Sequence, residues 1–192
     1  MREECRMLLR QVVYGALYVL AIVAGIAIGY LYHQMSGHVE LVIVFPALAG
    51  LTAGAVLRLA THAARLPLTR SIVLAGLLAG GLAYASSFYF DYREFRADLA
   101  RVGTTGVTLQ AAQVDRVETQ LLGSPGLISY LSARAEYGTG HGRLIGGSAP
   151  ISGQTQWLLW AGEIALAAAA GGYLLRPPLG GTHESRHEAQ YA

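Results

Sequence analysis

The chain reads as an all-α membrane protein: four transmembrane helices, with a partly helical extramembrane segment between the third and the fourth. Three observations predict this. Several apolar runs approach 20 residues, the length that crosses a hydrocarbon core of roughly 30 Å at about 1.5 Å per residue. Of the 192 residues, 53% are hydrophobic and only 14% are charged, where soluble domains carry about a quarter. The one long polar stretch, residues 91–155, lies between two of the apolar runs and contains three stretches of helical spacing.

Residues 1–11 form a polar lead in which Arg2, Arg6 and Arg10 face Glu3 and Glu4. Residues 12–31 follow without a charge. That run exceeds the 7–15 apolar residues of a signal peptide, and no A-x-A-like site follows Tyr32, so it is expected to be a retained first span. Gly25 and Gly29 give it a GxxxG spacing, which lets two helix backbones approach closely. A tight connection over residues 32–38 leads to a second span at 39–57, with a kink expected at Pro46 and a second GxxxG at Gly50 and Gly54. Arg58, His62, Arg65 and Pro67 mark an exit to water. The third span, 71–90, carries Gly76 and Gly80 and ends in the polar residues Tyr84, Ser86 and Ser87.

The third span is expected to continue past Asp91 as a helix, with Phe95, Leu99 and Val102 on one face and alternating charges on the other. A second extramembrane helix is predicted over 109–122. A third begins near Ser124 as N-cap and Pro125 as first residue, and stops before Gly138. Residues 138–153 are dominated by glycine and read as a loop, with a short hairpin around 143–148. With few large apolar side chains, this segment is expected to lie against the membrane ends of the bundle.

The fourth span, 157–175, contains a single charged residue, Glu163. It lies six residues past Trp157, about 9 Å down the helix. An ionised carboxylate at that depth costs a few kcal/mol, so it must face protein or water or be protonated. Trp160, Glu163, Ala167 and Gly171 share one stripe, which places Glu163 on the small-residue face where another helix fits. Residues 176–192 form a polar tail, expected to be disordered.

Arginine counts set the orientation. The lead and the second connection hold three each and the tail two, while the first connection has none; both termini are therefore expected in the cytoplasm of a bacterial inner membrane. All fourteen basic residues are Arg, consistent with a GC-rich genome. Alternating spans then bring His33, His38, Glu40, Tyr84, Asp91, Trp160 and Glu163 to one side as a polar and aromatic rim. Arg58, Arg65, Arg70 and Arg176 gather on the other, where an arginine belt meets anionic lipid.

Little chemistry is visible. His33, His38 and Glu40 span a turn at no established metal-ligand spacing, so no metal is expected. Gly138-Thr-Gly-His-Gly142 lacks the Gly-Lys-Ser/Thr ending of a phosphate loop, and no HExxH or GxSxG occurs. Cys5 is the single cysteine, which excludes an internal disulfide. A net charge of +2 without a basic cluster gives no reason to expect nucleic acid. No cofactor is expected, and no enzymatic activity.

Four pieces of the chain carry a resemblance: Ser86-Ser-Phe-Tyr-Phe-Asp-Tyr-Arg-Glu-Phe-Arg96, Gly126-Leu-Ile-Ser-Tyr-Leu-Ser-Ala-Arg-Ala-Glu136, Ile151-Ser-Gly153 and Trp157-Leu-Leu-Trp-Ala-Gly-Glu163. In order and kind they resemble an uncharacterised family of small four-span bacterial membrane proteins. The resemblance draws attention to Asp91, Tyr92, Trp160 and Glu163, and implies no activity. The function expected from the sequence is a non-enzymatic membrane subunit or scaffold whose GxxxG faces and extramembrane segment engage a second copy or another membrane protein. The alternative is a small oligomeric transporter or channel using Glu163 as a proton- or cation-responsive group.

Overall fold

The computed structural model describes residues 2–36, 44–101, 109–137 and 152–177, and within them contains six α-helices and no strand. These are α1 (Arg2–Ser36), α2 (Val44–Ala63), α3 (Arg70–Arg101), α4 (Ala111–Leu122), α5 (Leu127–Tyr137) and α6 (Gln154–Tyr173). Three of them, α1, α2 and α3, are long and apolar enough to cross a membrane. α6 equals α2 in length, but Glu163 and its glutamines sit among alanines and glycines, and it does not reach the same hydropathy over a spanning stretch.

Several boundaries differ from those the sequence suggested. α1 runs unbroken through Tyr32 and His33, where a connection was expected; no Gly or Pro interrupts residues 30–36, so nothing stops the helix there. α2 continues past Arg58 and His62 to Ala63, because basic residues are good company for a helix C-terminus. It ends where Arg65 turns to φ 50° ahead of Pro67. Pro46 lies in the first turn of α2, where the missing N–H forfeits no helical bond, so the expected kink is not needed. α5 starts at Leu127 and not at Pro125: Gly126, at φ 127°, supplies the carbonyl that accepts the Tyr130 N–H at 3.1 Å. Ser124 bonds the Ser129 hydroxyl at 2.6 Å in place of capping the helix.

α3 is the central element. It packs against α1 on one side and α6 on the other, while α2 touches all three. α1 and α3 run parallel: Gly25 faces the Ala79 carbonyl and Gly29 the Ala83 carbonyl and Ser86. α3 and α6 run antiparallel, with Phe88, Tyr84, Gly80 and Gly76 opposing Trp160, Glu163, Ala167 and Gly171 in turn. α2 runs alongside α6 in the same direction, placing Gly50 on Ala167 and Gly54 on Gly171. All three GxxxG pairs are thus taken up inside the chain. One stripe of α6 meets the glycines of two neighbours at once, because a helix without side chains at its contact row can bring its backbone within reach of another.

At the far end from Glu163 the bundle closes on Leu57, Ile72 and Leu175, all fully buried. There Arg58 donates to the Leu174 carbonyl at 2.6 Å, so a cation satisfies one of the orphan carbonyls at the C-terminal end of α6. At the other end, α3 extends beyond the bundle and carries a cap of α4 and α5. Tyr92 donates to Glu118 at 2.8 Å, the Gly126 N–H donates to the same carboxylate oxygen at 2.8 Å, and Arg96 pairs with Asp115. Glu118 is fully buried and therefore staples α3, α4 and the α4–α5 turn together.

Candidate functional site

Glu163 is 5% exposed and lies on the face of α6 that packs against α3. The Tyr84 hydroxyl, one turn from Gly80 on α3, donates to its Oε2 at 2.5 Å. That length suits an O–H group bonded to a carboxylate. Oε1 is buried without a hydrogen-bond partner among the described residues, and no described cation pairs with Glu163. The site owes its shape to the neighbouring small residues: Gly80 and Ala167 draw the two backbones together, and Tyr84 and Glu163 fill the next turn.

Above the pair lies an aromatic layer contributed by all four bundle helices. Tyr32 of α1 meets Phe45 of α2 at 5.4 Å and Tyr84 of α3 at 5.6 Å; Phe88 meets Tyr84 and, across the interface, Trp160 of α6, each at 5.3 Å. Most of these contacts are edge-on, the arrangement aromatic quadrupoles favour. Ser87 turns its hydroxyl back to the Tyr84 carbonyl at 2.7 Å, which fixes this turn of α3. The layer seals Glu163 from the cap side with rings, and Tyr84 supplies the polar atom that reaches through it.

A second polar cluster sits one to two turns further along α3. Asp91 joins three helices: His33 Nδ1 of α1 lies 2.6 Å from Oδ1, and Arg134 of α5 donates to Oδ2 at 2.5 Å. Glu94 approaches His33 Nε2 at 3.4 Å. Tyr32, adjacent to His33 in sequence and packed on the Tyr84 ring, stands between the two clusters. Burial works against the Arg134 guanidinium, but the Asp91 carboxylate more than compensates and holds it above its ordinary value. Arg134 therefore stays charged, and it anchors α5 over the end of the bundle. Leu131 and Ala135 pack beside it onto Phe88 and Trp160.

The structure thus brings Glu163, Tyr84 and Trp160 into one site and places Asp91 at its outer margin. His38 and Glu40 lie outside the described residues, as do the expected hairpin at 143–148, the glycine run from 138 to 151 and the tail from 178. Among the described residues no group of three His, Cys, Asp or Glu is arranged to hold a metal. Gly25, Gly29, Gly50, Gly54, Gly76 and Gly80 are structural contacts of the bundle and not part of the site. Sequence reasoning missed Arg134 and the role of Tyr32. Arg134 sits in a helix expected to lie against the end of the bundle, and its only signal was an isolated cation with an acidic partner 43 positions earlier. Tyr32 was placed in a turn, where its ring would have had no fixed direction.

No protein-family profile matches the chain, and no curated protein or solved structure is significantly similar to it.

Proposed function

We propose that the chain is a four-span membrane protein in which Glu163 takes up and releases a proton, or holds a small cation, beneath a polar outer mouth. The reading takes α6 as the fourth span and the cap of α4 and α5 as extramembrane, with both termini on the cytoplasmic side of a bacterial inner membrane. One observation carries it. A carboxylate sits in the core of the bundle, bonded on one oxygen by Tyr84 and, among the described residues, left without a donor on the other. An unpaired buried acceptor costs about 1–3 kcal/mol, and whereas the second oxygen of the structural Glu118 lies 3.5 Å from the Arg96 guanidinium, no described cation stands against Glu163. Ionisable residues that persist at such depth mark proton or ion pathways by default. The sequence His33, Asp91, Tyr32, Tyr84, Glu163 supplies polar groups from the outer end of the bundle to its interior.

The scaffold reading loses one of its two supports, because the GxxxG faces are occupied within the chain. It keeps one other: Leu121, Ile128 and Tyr137 of the cap are exposed by 58%, 69% and 82%, surface that another chain could cover. The test of the preferred reading is flux. Proteoliposomes containing the chain should dissipate an imposed proton or sodium gradient, and Glu163→Gln should abolish this while the variant still inserts and elutes as the wild type does. Unchanged flux in Glu163→Gln, or none in the wild type, would leave the subunit reading in its place.

A further inference from the structure

Where α1 and α3 reach the outer end of the bundle, Tyr30, His33, Gln34, Phe90, Arg93 and Glu94 line an open hollow of about 340 Å³. Its walls differ in kind. Tyr30 and Phe90 meet edge-on at 5.2 Å and form an aromatic side. His33 is held from behind by Asp91 at Nδ1, which leaves its Nε2 edge toward Glu94. Glu94 is 65% exposed, and its one described ionic neighbour is that imidazole at 3.4 Å. Arg93, next to it on α3, is exposed and ion-pairs with no described residue.

The geometry points to a binding site for the headgroup of a zwitterionic phospholipid of the phosphoethanolamine type. An unpaired guanidinium recognises phosphate, for which its planar fork of donors is well shaped. A carboxylate beside two aromatic rings recognises an ammonium group, through charge and through the ring faces. Both side chains line the same hollow, so one short headgroup carrying both charges can meet them together. Depth agrees with a lipid as the source. The apolar stretch of α1 runs to Met35, so the hollow occupies its last turns, and the flanking Tyr30 and Tyr89 are about half exposed, as interfacial aromatics are. A headgroup carrying only negative charge fits less well, because Glu94 on the lining would oppose it. The assignment rests on α1 and α3 crossing a bilayer, and is independent of any role for Glu163.

The test is retention of lipid by the purified full-length chain in mild detergent, read by native mass spectrometry. The probes are phosphatidylethanolamine, phosphatidylglycerol and soluble phosphoethanolamine. Phosphatidylethanolamine should be retained roughly tenfold more than phosphatidylglycerol. Arg93→Ala and Glu94→Gln should each lower its retention by about tenfold, the value of one charge-assisted bond, whereas Arg116→Ala on the cap should not. Glu94→Gln preserves shape and keeps the test decisive if Arg93→Ala misfolds. Equal retention of the two lipids, or retention indifferent to both variants, would overturn the proposal. Soluble phosphoethanolamine binding as tightly as the lipid would overturn it in favour of a solute site. Extraction of the chain from membranes by alkaline carbonate separates the two failures: a stripped chain refutes the membrane reading as well, and a retained one confines the failure to the hollow.

Discussion

At the scale of single residues, side chains that face each other across helices decide both the site and the cap. Tyr130 illustrates the cap. It packs against Phe95 at 5.0 Å and Tyr92 at 5.7 Å, and burial holds its phenol above the ordinary value, an effect that Arg134 only partly offsets. A raised value in the folded state means that the folded chain keeps this proton longer than the unfolded one. The resulting stability is complete below the unfolded value of about pH 10 and is lost as the pH rises through the folded one. Thermal unfolding measured from about pH 8 to 11 should therefore show an alkaline decline that is shallower in Tyr130→Phe, which retains the ring. An identical decline in the variant would show that Tyr130 does not contribute. Glu163 was legible at this scale from spacing alone, since Trp160, Glu163, Ala167 and Gly171 share a stripe and all four are buried. Its partner was not. Tyr84 stood in the sequence as one polar residue near a span end, and only the antiparallel register of α3 on α6 puts its hydroxyl on the carboxylate.

At the scale of elements, the glycine spacings announced close approach but not between which helices. A Cβ added at Gly50 would collide with the backbone of Ala167, and one added at Gly54 would come within 2.5 Å of the Gly171 carbonyl oxygen. Helix backbone cannot step aside as a side chain can. Gly50→Ala should therefore cost about 1–3 kcal/mol of overpacking, against at most about 1 kcal/mol gained from helix propensity. Gly162, on the opposite face of α6, has nothing within 4 Å of an added Cβ, and Gly162→Ala should be neutral or stabilising. Unfolding in mixed micelles compares the two, and equal effects would refute the packing described for α6. These losses should appear as instability of the single chain, whatever its oligomeric state. The connection expected from residue 32 onward is helix through Ser36 for a related reason: polar residues at a span end were taken as a turn, although a helix leaving the membrane loses none of its own hydrogen bonds in water.

At the scale of the whole molecule, the parallel and antiparallel contacts place the mouth, the aromatic layer and the cap at one end, and Arg58 with Arg176 at the other. In the four-span reading the two ends lie on opposite sides of the bilayer. Since Cys5 is the single cysteine, a Cys5→Ser background permits a direct check. In intact cells a membrane-impermeant maleimide should label Ile128→Cys, and should reach Arg176→Cys only after permeabilisation. Labelling of both from one side would remove α6 as a span. The all-helical class, with three helices long and apolar enough to cross a membrane, was legible because the length of an apolar run is read directly from the sequence. The stacking of α5 on Phe88 and Trp160 was not, because it depends on contacts between segments far apart in the chain.

The contact row of α6 also bears on the order of events during synthesis. α2 and α3 emerge first, and their Gly50, Gly54, Gly76 and Gly80 leave a smooth channel lined by backbone, into which the later helix fits. A nascent α6, weighed down by Glu163 and its glutamines, has less reason than the earlier helices to partition into lipid by itself. Its admission to the membrane would then be cooperative, with the waiting channel and the Tyr84 hydroxyl as its reception. A ribosome-bound chain in which Gly80 is replaced by Leu would be expected to strand its final helix in water, with the carboxylate never reaching the Tyr84 hydroxyl.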